Sequence, residues 1–226
     1  MNNIVVFGTS RGIGKEVVLQ LAQNPENKIY AFSRKKCKEF EGKNNVVFHA
    51  LDLQSPSLKI ELENALQDCE KIDFALNNAG HLVSKAFLDL TGEDIQACYD
   101  VNVLGVMKCT QVLVPKMAFK GGHILNISSM GGFQGSVKFA GLSAYSTSKA
   151  AICSFTELFS EEYKESKIAM NCLCLGAVQT EMLEEAFPGY EAPHGPDQMA
   201  TFIVDFLLTG HRFFKGKILP VSLSTP

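Results

Sequence analysis

The chain has 226 residues, 46% of them hydrophobic and 20% charged, with a net charge of −3. At about 150 residues per domain that length allows one domain or two small ones, each with a real core. The charge balance gives no support to a nucleic-acid groove, and no apolar run reaches the roughly 18 residues of a membrane span. Met1-Asn2-Asn3 leads directly into Ile4-Val5-Val6-Phe7 with no signal-peptide pattern. Seven cysteines without a Cys-x-x-Cys pair read as reduced thiols of a cytoplasmic protein, with no metal ligand set expected. Cys172 and Cys174, two apart, share one face of a strand.

Strand candidates come at residues 4–7, 28–32, 46–50, 74–77, 123–127, 169–173 and 217–221. Helical periodicity runs over 12–23, 55–68, 91–117, 143–166 and 196–209, and the polar stretch 35–45 has room for only a short helix. Several strand candidates are unbroken apolar runs, as strands covered on both faces should be. With no repeat and no linker, residues 1–226 are expected to form a single domain. Its fold class is α/β, a Rossmann-type doubly wound parallel sheet of about seven strands in the order 3-2-1-4-5-6-7, with helices on both faces. Ligands of such sheets bind beyond the carboxyl ends of the strands, and the motifs fall at those ends.

The first strand runs into Gly8-Thr9-Ser10-Arg11-Gly12-Ile13-Gly14 and a helix. Gly8 suits a sharp turn, Gly12 lets backbone approach a pyrophosphate, and Gly14 permits close packing of helix on strand. The helix N-terminus adds free N–H groups and a positive dipole end. After the second strand, neutral Ser33 stands where an acid would bind the adenosine ribose, and Arg34 follows it. Arg11 and Arg34, with the Ser10 and Ser33 hydroxyls, make a cradle for a 2′-phosphate and favour NADP(H) over NAD. Asp52-Leu53 follows the third strand, where an Asp is also a common helix cap. Tyr145 and Lys149 lie four apart at the start of a helix, one turn apart on one face. A lysine ammonium there, together with an oxidised nicotinamide, would lower the tyrosine pKa from its usual value near 10.

The Gly-x-x-x-Gly-x-Gly spacing, Asn77-Asn78-Ala79-Gly80 and Tyr145-x-x-x-Lys149 together resemble the short-chain dehydrogenase/reductase family. The resemblance covers nearly the whole chain and implies roles for particular residues. Asp52 and Leu53 would hold adenine, while Asn78, Ala79 and Gly80 would lie against the ribose. Ser129 would orient the substrate oxygen, with Ser128 as a strand-end hydroxyl, and Tyr145 would be the acid/base. Lys149 would tune Tyr145 and bind ribose, and Asn102 would support a proton relay. Gly176, Val178 and Thr180 would hold and orient the nicotinamide. Three features depart from the family pattern: Phe7 replaces a threonine, Leu175 replaces a proline, and Ser129 and Tyr145 are sixteen apart, a few residues more than usual. The added length is either a surface bulge or a changed pocket wall. His81 has no visible partner and reads as a polar surface residue.

Residues 181–196 should form a lid, with Met182, Leu183, Phe187 and Tyr190 for an apolar substrate and with Glu184 and Glu185 disfavouring an anionic one. The chain stops five residues after Val221, so the parts that choose substrate are expected to be trimmed. The function implied is hydride transfer between NADP(H) and a small-molecule carbonyl or secondary alcohol, in a homodimer or homotetramer built through the two long helices. A catalytically silent dinucleotide-binding regulator, and an epimerase or dehydratase on the same fold, are the competing readings.

Overall fold

The computed structural model describes residues 1–117 and 120–223. Seven strands form one parallel sheet: β1 (Asn2–Phe7), β2 (Asn27–Ser33), β3 (Val46–Ala50), β4 (Phe74–Asn77), β5 (Gly122–Ser129), β6 (Ile168–Leu175) and β7 (Ile218–Val221). Their order is β3-β2-β1-β4-β5-β6-β7, as the alternation of strand and helix predicts. Helices α1 (Gly12–Leu21), α2 (Leu58–Ala65), α3 (Gly92–Tyr99), α4 (Val106–Met117), α5 (Ser143–Glu162), α6 (Glu181–Ala186) and α7 (Pro196–Thr209) complete the fold, and the 35–45 stretch holds a single 3-10 turn, Lys38–Phe40.

The unbroken apolar strands have the expected cause. Alternate residues point to opposite faces, so Ile4 and Val6 join a core under α1 and α7 while Val5 and Phe7 join one under α2, α4 and α5. None of these four side chains is more than 2% exposed, and burying each contributes about 1.5–3 kcal/mol. Among the described residues no helix is long and apolar enough to cross a membrane.

One expected helix, 91–117, is not uniform. It begins with a capping box in which the Thr91 hydroxyl accepts from the Asp94 N–H at 3.1 Å and the Asp94 carboxylate accepts from the Thr91 N–H at 3.0 Å. Its middle, Asp100–Gly105, is π-helical. A Cβ on Gly105 would stand 2.9 Å from that of Leu53, so the wide turn brings this backbone hard against the chain after β3 and buries Asn102. Hydrophobic periodicity carries no signal for such a local widening.

Candidate active site

Beyond the strand ends lies a cleft of about 640 Å³, lined by the residues given cofactor or catalytic roles above, save Gly14 and Asn102. The floor is built by glycines. Gly8 and Gly12 adopt φ of +82° and +55°, in the left-handed region that side chains disfavour. A Cβ on Gly14 would lie 2.0 Å from the Gly8 carbonyl oxygen and 2.5 Å from Asn78 Nδ2. Asn78 Nδ2 itself donates to that carbonyl at 2.9 Å, tying the turn to the end of β4. The bracing lost with Phe7 comes from elsewhere: Thr9 Oγ1 and Ser33 Oγ, both buried, lie 3.2 Å apart, and Ser33 Oγ donates to the Lys35 carbonyl at 2.8 Å. No side chain among the described residues caps the start of α1, so its first N–H groups are open to an anion at the cleft wall formed by Gly12 and Ile13.

The two arginines of the expected cradle are in different states. Arg34 is exposed and makes no ion pair among the described residues. Arg11 instead forms a two-pronged pair with Glu185 on α6, at 2.6 and 3.2 Å. The Glu185 hydrogen bond raises the Arg11 pKa above its ordinary value. The two residues are 174 apart in sequence, so neither position advertises the pair. Asp52 lines the cleft, and its carboxylate accepts the Gln54 N–H at 3.0 Å, closing a turn rather than capping α2.

At the other end of the cleft, β5 delivers Ser129 and α5 delivers Tyr145 and Lys149. Ser129 stands near the Tyr145 phenol and acts to lower its pKa, and Ser129 Oγ accepts the Gly131 N–H at 3.2 Å. Lys149 is 4% exposed, donates to the Ile127 carbonyl at 2.9 Å and stands 5.8 Å from the Tyr145 ring centroid. Burial pushes the Lys149 pKa down to about 8. Tyr145 is pushed up to about 12, because loss of solvation outweighs the effect of Ser129. The sequence reading asks for Lys149 and an oxidised nicotinamide together to lower the Tyr145 pKa; the ammonium by itself bonds a backbone carbonyl rather than the phenol. With no added cation the phenol stays protonated at neutral pH.

Asn102 is held on both sides of its amide by protein. Its Oδ1 accepts the His81 N–H at 2.8 Å, and its Nδ2 donates to the His81 carbonyl at 2.9 Å and to Ser148 Oγ at 2.8 Å. Ser148 Oγ passes its own hydrogen to the Tyr145 carbonyl at 2.7 Å. Asn102 thus locks the loop after β4 to α5, and His81 takes part through its backbone. Ser128 Oγ donates to the Lys149 carbonyl at 2.8 Å, so its hydroxyl hydrogen is committed to α5.

After β6, a Cβ on Gly176 would meet Ser222 Oγ at 2.6 Å, so glycine lets the ends of β6 and β7 close together. Val178 is buried, and Thr180 Oγ1 caps α6 by accepting the Leu183 N–H at 3.3 Å, which leaves its own hydrogen free to donate. The long 130–142 loop reaches the pocket: Phe139 lines the cleft and packs edge-on to Phe187 of the lid, ring centroids 6.4 Å apart.

Sheet order, glycine turn and cleft define a dinucleotide-binding protein of the doubly wound class. The chain belongs to the short chain dehydrogenase family of oxidoreductases, whose pattern matches residues 2–191. It is 30% identical to "Dehydrogenase/reductase SDR family member 6" of Xenopus laevis over 207 residues, 90% of this chain and 80% of that one. Its fold is like that of ElxO with NADP bound (TM-score 0.83, 23% identity, 97% of this chain and 96% of that one). It is equally like 3-ketoacyl-(acyl-carrier-protein) reductase from Brucella melitensis complexed with NADH (TM-score 0.84, 22% identity, 97% and 96%).

Proposed function

We propose that residues 1–226 act as one dinucleotide-binding and catalytic unit. The unit is an NADP(H)-dependent reductase of small carbonyl compounds, or equivalently a dehydrogenase of secondary alcohols. The observation that carries this reading is that one cleft holds both the glycine turn and, at its other end, Ser129, Tyr145 and Lys149.

The residues present fit a dinucleotide. Uncapped N–H groups of α1 suit a pyrophosphate, Asn78, Ala79 and Gly80 the ribose, and Asp52 and Leu53 the adenine. Arg34 and the absence of an acid at Ser33 favour a 2′-phosphate, with Arg11 and Ser10 beside them once Glu185 yields. Gly176, Val178 and Thr180 suit the carboxamide end. The cofactor would supply the hydride. Ser129 orients the substrate oxygen, and Tyr145, whose burial favours the protonated phenol, donates to it. Lys149 brings positive charge to the Tyr145 face and binds ribose, and Asn102 positions α5 behind them. Met182, Leu183, Phe187, Tyr190 and Phe139 enclose an apolar substrate body.

Turnover of a panel of aldehydes, ketones and quinones by wild type and Tyr145→Phe tests this reading. Loss of the proton donor should cost about 10²–10⁴-fold in kcat, and equal NADPH consumption by both proteins would overturn it. Exposed Ile95, Leu104, Met107 and Leu158 on the α3–α4 stretch and α5 support a homodimer or homotetramer, which light scattering would count. All seven cysteines are free, in keeping with a cytoplasmic setting.

A further inference from the structure

Strand alternation that packs Leu173 against α1 and α7 sends Cys172 and Cys174 to the opposite face, towards α5. That helix carries Tyr145, Lys149 and Cys153 at four-residue steps, so one face presents phenol, ammonium and thiol in successive turns. Cys153 meets the strand pair: its Sγ lies 3.6 Å from that of Cys174, and all three sulfurs lie within 4.8 Å of one another. Linear spacing gave no hint of this, because one ligand comes from a helix and two from a strand.

We propose that Cys153, Cys172 and Cys174 form a site for one soft, thiophilic cation, monovalent copper fitting best. A metal–sulfur bond of about 2.3 Å puts the sulfurs of a planar triangle roughly 4.0 Å apart, inside the spread found here. No carboxylate or imidazole joins the set among the described residues, so oxygen-seeking cations find no ligand. Val106, Met130 and Ile152 pack around the sulfurs, with Phe133 and Phe155 at the edge, making a water-poor, polarisable shell. Cys172 and Cys174 are fully buried and Cys153 is half-buried, which marks the side of entry. Ser128 Oγ accepts from the Cys153 thiol at 3.4 Å and holds it in place.

Binding is Cu⁺ plus three thiols giving a tris-thiolate complex of charge −2 and three released protons, with no change of oxidation state. The Lys149 ammonium, one helical turn from Cys153, partly offsets that charge. None of the three thiols lines the cleft, although Ser128, Met130 and Lys149 border both, and the proposal does not rest on the catalytic reading.

The test is an anaerobic competition in which reduced full-length protein draws Cu(I) from its bathocuproine disulfonate complex, read by the chelator's colour. Wild type and Cys37→Ser should each take one equivalent, and Cys153→Ser should lose affinity about tenfold or more. X-ray absorption of the loaded wild type should show only sulfur, at about 2.3 Å. No uptake by wild type, undiminished uptake by folded Cys153→Ser, or an oxygen or nitrogen shell would each overturn the proposal. So would the loss of two titratable thiols with no copper held, which would make the cluster a disulfide pair.

Discussion

The two walls of the cleft are made differently. The glycine turn is held by backbone: Gly14 touches the Gly8 carbonyl, Asn78 bonds the same oxygen, and the strands beneath are buried on both faces. The lid meets the opposite wall through side chains across water-exposed space, Arg11–Glu185 and Phe139 against Phe187, with its base tied by the Gln179 N–H to the His194 carbonyl at 2.8 Å. A wall defined by backbone contact tolerates no added atom, whereas a wall of exposed pairs can be exchanged for ligand contacts at little cost.

The largest effect should come from breaking the rigid wall. Gly14→Ala puts a Cβ 2.0 Å from a carbonyl oxygen that cannot move away, so it should destabilise the protein by about 3 kcal/mol and abolish cofactor binding. An unchanged melting temperature would show that the turn is softer than its contacts imply.

The buried interior behind that wall should also respond to pH. His123, fully buried at the start of β5, is pushed down to about 4 by desolvation, against an ordinary value of 6.5. The unfolded chain therefore binds the extra proton between pH 6.5 and 4. Stability, complete above pH 6.5, should fall by about 3 kcal/mol as pH drops through that window. Denaturant midpoints across pH should show it, and His123→Asn should flatten the profile.

Arg34→Asp acts at the boundary of the two regions. Losing a charge-assisted hydrogen bond and adding an anion should weaken NADPH binding roughly 10–100-fold and leave NADH nearly untouched; equal weakening would refute the 2′-phosphate cradle. The smallest effect belongs to the lid. Glu185→Gln releases an exposed pair and frees Arg11, so NADPH should bind a few-fold tighter at low salt, an advantage that salt erases. Calorimetric titration at two ionic strengths resolves it.

Legibility in the sequence follows the same division. Strand order and the positions of the glycines could be read because each depends on local period or on residue type at a strand end, whereas the grouping of Ser129 with Tyr145 and Lys149 came from the family resemblance. Phe7 and the sixteen-residue gap were visible as departures, but their outcomes were not. Thr9–Ser33 replaces the missing brace and Phe139 enters the pocket wall through contacts between distant segments. The π-helical turn at Asn102 lies below the resolution of hydrophobic periodicity.

The sequence by itself determined a doubly wound sheet, a dinucleotide turn and a tyrosine–lysine helix, because backbone sterics and side-chain period act over a few residues. Only the tertiary structure decided which charges and thiols meet. Glu185 takes Arg11, Lys149 bonds a carbonyl rather than the phenol, and Cys153 joins Cys172 and Cys174. Burial then sets the protonation of Tyr145 and Lys149, since desolvation depends on how much protein surrounds a group and not on its neighbours in the chain.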